Sequence, residues 1–401
     1  MKIAFREIEG RSPGYWMLLG GLGLLTLIGL GAAHYMEDHG HIVTGMTNQI
    51  VWGTPHVFAV FLIVAASGAL NVASVASVFG KVFYKPLAPL SALLALALLA
   101  GGLMVLMLDL GRPERVVVAA TSYNFKSVFA WNVFLYSGFF TLVGLYLWTM
   151  MDHRVNGYAK PAGVAAFIWR LLLTTGTGSI FGFLVARQAY DSALLAPMFI
   201  IMSFSYGLAI YILVLVGAYK GTGRPLGDNV LNRLKGLLVT FIAAVLYFVA
   251  VYHMTNLYFT KQHEFERFIL LDGGVYTGMF WIGQILLGNV VPLVVLLSPA
   301  LGKQRFWIVF ASVLVILGGL AQMYVTIIGG QAFPLELFPG MQESSSFFDG
   351  RLPHPYSPSA PEVLLGLGGV AVAGAIVVFA LKLLRFLPES LDNQAVDAAR
   401  K

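Results

Sequence analysis

The sequence predicts an all-α polytopic membrane protein of about ten transmembrane helices, forming one integral membrane domain over residues 1–401. Three observations predict it. The chain is 58% hydrophobic and 11% charged, whereas a soluble domain carries about 25% charged residues. Its mean hydropathy is +0.80. Long apolar runs recur along the whole chain, and about 20 apolar residues cross the roughly 30 Å of bilayer hydrocarbon. This composition excludes a soluble globular enzyme and a disordered chain. The pI near 9.3 does not point to nucleic acid, because the basic residues are scattered between apolar blocks.

The spans fall at 15–36, 56–79, 87–108, 128–150, 162–186, 193–219, 236–258, 275–298, 305–329 and 362–386. The first lacks a small-residue cleavage site and ends in His34-Tyr35-Met36-Glu37-Asp38, so it reads as a retained helix rather than a signal peptide. An even number of spans puts both termini on one side. Seventeen Lys and Arg lie on that side, Lys81, Lys85, Arg224, Lys235 and Arg305 among them, against seven on the other. The positive-inside rule then places both termini in the cytoplasm, and the chain is expected to be a multi-pass protein of the bacterial cytoplasmic (inner) membrane. Spans two to five and six to nine are expected to form two four-helix bundles plus flanking helices. Glycines in the first and last spans read as packing positions, where small residues let backbones approach in lipid.

The inner loops are short and basic. The outer ones, Glu37 to Trp52, Asp109 to Lys126, Lys261 to Gly274 and Pro334 to Pro361, carry acids, histidines, aromatics and prolines. Such loops suit a docking surface, and the Pro353–Pro358 run favours an extended path.

An ionisable group at the edge of a span is costly and invites a functional reading. His34, His56, Asp109, Arg187, Asp191 and His253 all project to the outer third. The inner half has little comparable except Arg170, about 12 Å from the inner end by helix rise, close enough to snorkel. An outer cluster of His, Asp, Arg and Tyr matches what quinone chemistry needs. A quinol gives up two electrons and two protons. Its oxygens need hydrogen-bond partners, and one group must titrate near neutral pH, as His does. Tyr123, Tyr190 and Tyr252 offer hydroxyls at that depth. Taken singly, each residue reads as a headgroup anchor, and Asp109 with Arg112 as a pair across a tight turn.

The chain has no cysteine, so it holds no thiolate-ligated iron–sulfur cluster, and any such cluster belongs to a partner. Three outer histidines leave room for one haem but not for a transmembrane pair, and no haem is expected. No carboxylate lies mid-span. Thr174, Gln284 and Gln322 read as interhelical hydrogen-bonders or the lining of a water path. A passive anchor or a proton or solute carrier is the alternative class.

Several segments carry a family resemblance: Val51-Trp52-Gly53-Thr54-Pro55-His56, Leu108-Asp109-Leu110-Gly111-Arg112-Pro113, Asn124-Phe125-Lys126-Ser127 with Trp131-Asn132, and Gly329-Gly330-Gln331-Ala332-Phe333-Pro334-Leu335. With them the chain resembles the NrfD/PsrC family, the integral membrane subunits of polysulfide-reductase-type complexes. The Ser67–Ser74 stretch and the tenth span resemble its DsrP-like branch, found in DsrMKJOP-type sulfur-metabolism complexes. The resemblance implies a haem-free subunit that exchanges electrons between the menaquinone or ubiquinone pool and a periplasmic ferredoxin-like iron–sulfur subunit. Further cytochrome and iron–sulfur subunits would complete the complex. It also implies a quinone site near the outer face. His34 and Asp109 would exchange protons there, with Arg112, Tyr123, Arg187 and Tyr190 around the headgroup.

Overall fold

The structure, a computed structural model, describes residues 4–334 and 356–393. Among these, ten helices are long and apolar enough to span a membrane. They are span 1 (Pro13–His39), span 2 (Thr54–Ser77), span 3 (Val82–Leu108), span 4 (Val128–Met151) and span 5 (Asn156–Gly182), then span 6 (Leu195–Thr222), span 7 (Asp228–Tyr258), span 8 (Val275–Leu297), span 9 (Arg305–Ala332) and span 10 (Ala360–Leu383). The largest departure from the sequence reading is span 7, which starts at Asp228 rather than 236. Its first two turns are polar and run past the apolar stretch. Asp228 pairs with Arg305 there at 2.8 Å, and Lys235 donates to the carbonyl of Gly302.

Span 2 is central: 94% of its most apolar stretch is buried, against 17% for spans 1 and 4. It packs on spans 3, 6 and 9. Span 4 packs on span 5, span 6 on spans 5, 7 and 9, and span 8 on span 9. Span 1 lies along span 10, which in turn packs on spans 2 and 3. Two crossings depend on glycine. A Cβ at Gly68 or Gly207 would overlap the backbone of the facing helix where spans 2 and 6 cross, and one at Gly318 would overlap Gly288 where spans 9 and 8 cross. Close backbone approach is how helices gain dispersion contacts in lipid, where no hydrophobic drive acts between them.

The described ends of the chain meet at one face. Strand β1 (Phe5–Arg6) pairs antiparallel with strand β2 (Leu387–Pro388). Arg224, after span 6, donates to the carbonyls of Arg6 and Glu7 at 3.0 and 2.7 Å. This clasp collects the basic loops on one side. The acids and histidines singled out in the sequence lie at the opposite end.

Arg170 does not snorkel. It is 2% exposed. One guanidinium nitrogen donates to the Ser67 carbonyl at 2.9 Å and to Asn71 Oδ1 at 2.6 Å. Phe167 and Phe204 lie 5.0 Å from its charge. Facing span 2 gives it two oxygens and two ring faces, more than a lipid-side path to the headgroups offers. Most of the last outer connection, residues 335–355 with Pro353, His354 and Pro355, lies outside the described residues.

Candidate functional site where span 2 begins and span 3 ends

Pro55 opens the first turn of span 2, where a missing N–H costs nothing, and places His56 there. Asp109 caps the carboxyl end of span 3, where Gly111 at φ +66° turns the chain away. The packing of these two helices brings their ends together. His56 Nδ1 lies 2.7 Å from Asp109 Oδ2. The Asp109 side chain is 1% exposed and that of His56 is 15% exposed. A carboxylate only accepts, so Nδ1 carries a proton, and in the neutral imidazole Nε2 is the acceptor left for a ligand. The amino end of span 2 adds the positive end of its dipole near the carboxylate. Asp109 Oδ1 is buried without a partner among the described residues.

Trp52 covers the pair. Its ring stacks on His56 with centroids 5.7 Å apart and planes 19° apart. Phe129, Phe181 and Tyr190 surround the indole. Gln331 fixes the tryptophan from span 9. Its Oε1 accepts from the backbone N–H of Val51 and Trp52 at 3.0 Å each, and its Nε2 donates to the carbonyls of Trp52 and Ile327. All four hydrogen-bonding positions of this amide are thereby filled. Arg187, on the turn between spans 5 and 6, closes the clasp by donating to the carbonyls of Gln49 at 2.8 Å and Gln331 at 3.1 Å. Burial holds its guanidinium below the ordinary value. It also lines a cavity of about 240 Å³ together with Lys261 and Phe333.

On the other flank, Tyr356 accepts from the Thr54 N–H at 2.7 Å and donates to Glu362 Oε1 at 2.5 Å. Glu362 is fully buried at the start of span 10 and also accepts from the N–H groups of Gly45 and Ser359. Span 10 is thus tied to the first turn of span 2, two residues before His56.

The residues singled out in the sequence do not all gather here. Asp109 is at the centre. Tyr190 is fully buried beside Trp52, its hydroxyl donating to the Ile327 carbonyl at 2.6 Å. Arg187 is in the clasp with its donors occupied. Tyr123 is half-buried and stacks on Phe134 at 4.4 Å, in an aromatic group with Phe125 and Trp131. Arg112 is exposed, and Asp109 is bonded to His56 instead of to it. His34 is exposed on span 1 with no hydrogen bond among the described residues; its neighbours Ala33 and Met36 take the packed face. Trp52 and Gln331 entered the sequence reading only within the segments that carry the family resemblance, and Glu362 had no role in it. A glutamine directly after Gly329-Gly330 at the outer end of an apolar span was the signal available for Gln331.

A family model described as "Polysulphide reductase, NrfD" matches residues 42–335, which include Trp52, His56, Asp109, Arg187 and Gln331. The chain belongs to the NrfD polysulphide reductase family. It is 31% identical over 400 residues to an Hdr-like menaquinol oxidoreductase integral membrane subunit of Archaeoglobus fulgidus, covering 99% of this chain and 100% of that protein. It is 30% identical over 414 residues to a putative dimethyl sulfoxide reductase membrane subunit of Halobacterium salinarum, covering 95% and 92%. A polysulfide reductase chain of Wolinella succinogenes is 24% identical over 309 residues, 71% of this chain and 96% of that one. As a member of this family the chain is a multi-pass integral protein of the inner membrane, related to membrane subunits of respiratory oxidoreductases.

Proposed function

We propose that this chain is the quinol-interacting subunit of a respiratory oxidoreductase complex, with its headgroup site at His56 and Asp109. The observation that carries this is the buried His56–Asp109 pair beneath Trp52. It offers one free imidazole acceptor, a carboxylate to stabilise the imidazolium, and an aromatic face for a flat ring. The names of the relatives, a menaquinol oxidoreductase subunit and a polysulfide reductase chain, support the substrate class.

In this reading a quinol hydroxyl donates to His56 Nε2. As two electrons leave, one at a time, the hydroxyl proton passes to the imidazole, and Asp109 holds the opposite N–H throughout. The second proton leaves from the other hydroxyl toward the outer face. The electrons go to an iron–sulfur partner docked on the outer loops, a periplasmic ferredoxin-like subunit, since the chain has no cysteine to hold such a cluster itself. The substrate is menaquinone or ubiquinone. Spans 2–5 and 6–9 act as two four-helix groups, both termini lie in the cytoplasm, and a DsrP-like sulfur-metabolism complex is the setting. Arg187 and Tyr190 position Trp52 rather than touch the ring, and Tyr123 and Arg112 stand at the outer approach. His34 is the rival of His56 for the proton.

The test is a fluorescent quinol analogue titrated into purified protein and followed by quenching. Losing a hydrogen bond to a charged group costs about 1.5–3 kcal/mol, so His56→Gln and Asp109→Asn should weaken binding roughly tenfold to a hundredfold. His34→Ala should leave it unchanged; weakening there and not at His56 transfers the role to span 1. No saturable binding in folded protein sinks the reading and leaves a membrane anchor or carrier.

A further inference from the structure

A second buried acid–base pair lies at the outer end of span 7. The short helix His263–Arg267 follows that span and packs back on it. Glu266, on this helix, is 0% exposed. His253 and Asn256, three residues apart on one face of span 7, both reach its carboxylate. His253 Nδ1 lies 2.7 Å from Oε2, and Asn256 Nδ2 donates to Oε1 at 2.8 Å. With Nδ1–H given to the carboxylate, His253 Nε2 is an acceptor.

His253 lines a cavity of about 30 Å³ with Gln284, Gln322, Tyr252 and Thr326. Gln322 is 2% exposed. Its Oε1 accepts from Tyr206 at 2.5 Å, while its Nε2 is buried with no partner among the described residues. A lone acceptor and a lone donor therefore border one small space whose other walls are mainly apolar. About 10–15 Å³ suffices for one water, so the cavity has room for one or two and is far too small for a quinone ring. Two of its walls are π-helical, Met279–Val290 and Val325–Gly329, a distortion that often marks functional positions.

We propose that this cavity is a hydrated proton-exchange site, in which a water bridges Gln322 Nε2–H and His253 Nε2. A proton arriving on that water passes to Nε2, turning the neutral imidazole beside a carboxylate into an imidazolium–carboxylate pair. The reverse step returns it, and no electron moves. No cation among the described residues competes for Glu266. Arg267 pairs with Asp272, Lys261 with Asp191, and His263 and Glu264 are exposed. Tyr252 donates its hydroxyl to the Ala189 carbonyl. The site is independent of the pair under Trp52 and stands whether or not that pair takes a quinol.

Two measurements test it. A cryo-EM map of the intact wild-type protein should show water density within hydrogen-bond reach of both nitrogens. In protein labelled with ¹⁵N-histidine, the ring N–H of His253 should exchange with D₂O. Gln322→Leu should slow this about tenfold, the worth of one hydrogen bond, while His56 exchange and quinol-analogue binding stay as in wild type. A dry cavity in the wild-type map, or exchange at His253 unchanged by Gln322→Leu, overturns the proposal.

Discussion

Gln331 spends all four of its hydrogen bonds on holding Trp52 and its own helix end. Replacing it with leucine keeps the size but strands the N–H groups of Val51 and Trp52. A donor stranded away from water costs about 1–3 kcal/mol and these two are partly buried, so Gln331→Leu should lower the unfolding temperature and weaken quinol-analogue binding together. A drop in stability with unchanged binding would free Trp52 from the site. Tyr356 gives a prediction of a different kind. Burial and its bond to Glu362 hold its phenol well above the ordinary range. A raised value means its contribution is whole below about pH 10 and falls as the pH climbs beyond. Tyr356→Phe should therefore be less stable near neutrality yet show a flatter alkaline decline in a scan of unfolding temperature against pH.

At the scale of the element, the apolar runs were legible because a lipid-facing helix must be apolar along its whole length. The helix ends were less so. Span 7 begins eight residues before its apolar stretch because Asp228 and Lys235 find partners at the basic face. Glycines divide into those that set helix crossings and those that do not, a distinction composition cannot make. Gly318 meets Gly288 directly, whereas Gly236 faces open space. Gly318→Leu should abolish stable folding, read as loss of a monodisperse peak in detergent. Gly236→Ala should raise stability by about 0.5–1 kcal/mol through chain entropy alone. If both behave alike, the crossing of spans 8 and 9 is not as described.

For the whole molecule, the two ends of the bundle differ in chemistry. One carries the terminal clasp and the basic loops; the other carries both acid–base pairs. The absence of native cysteine makes sidedness directly measurable. Lys126→Cys, after span 3, and Gly221→Cys, at the end of span 6, are exposed positions on opposite ends. A membrane-impermeant maleimide should label Lys126→Cys in intact cells and Gly221→Cys only after permeabilisation. The reverse pattern would put the quinol site on the cytoplasmic side and move the iron–sulfur partner with it.

The sequence by itself determined the ten spans, the segregation of charge and the lack of any thiolate ligand, because hydrophobic length and composition are additive along the chain. It also set Asp109, His34, His56 and His253 at one end, since distance along a helix is fixed by rise. It did not determine which histidine meets Asp109. His56 is 53 residues away and His34 is 75, and separation does not choose between them. Helix rotation does, and rotation is set by where small residues allow backbones to close, as at Gly68 and Gly207. The same holds for Arg170, turned inward onto Ser67 and Asn71, and for Glu266, whose short helix folds an apparent loop acid back onto span 7. Partners of buried polar groups are properties of packing, and only the tertiary structure decided them.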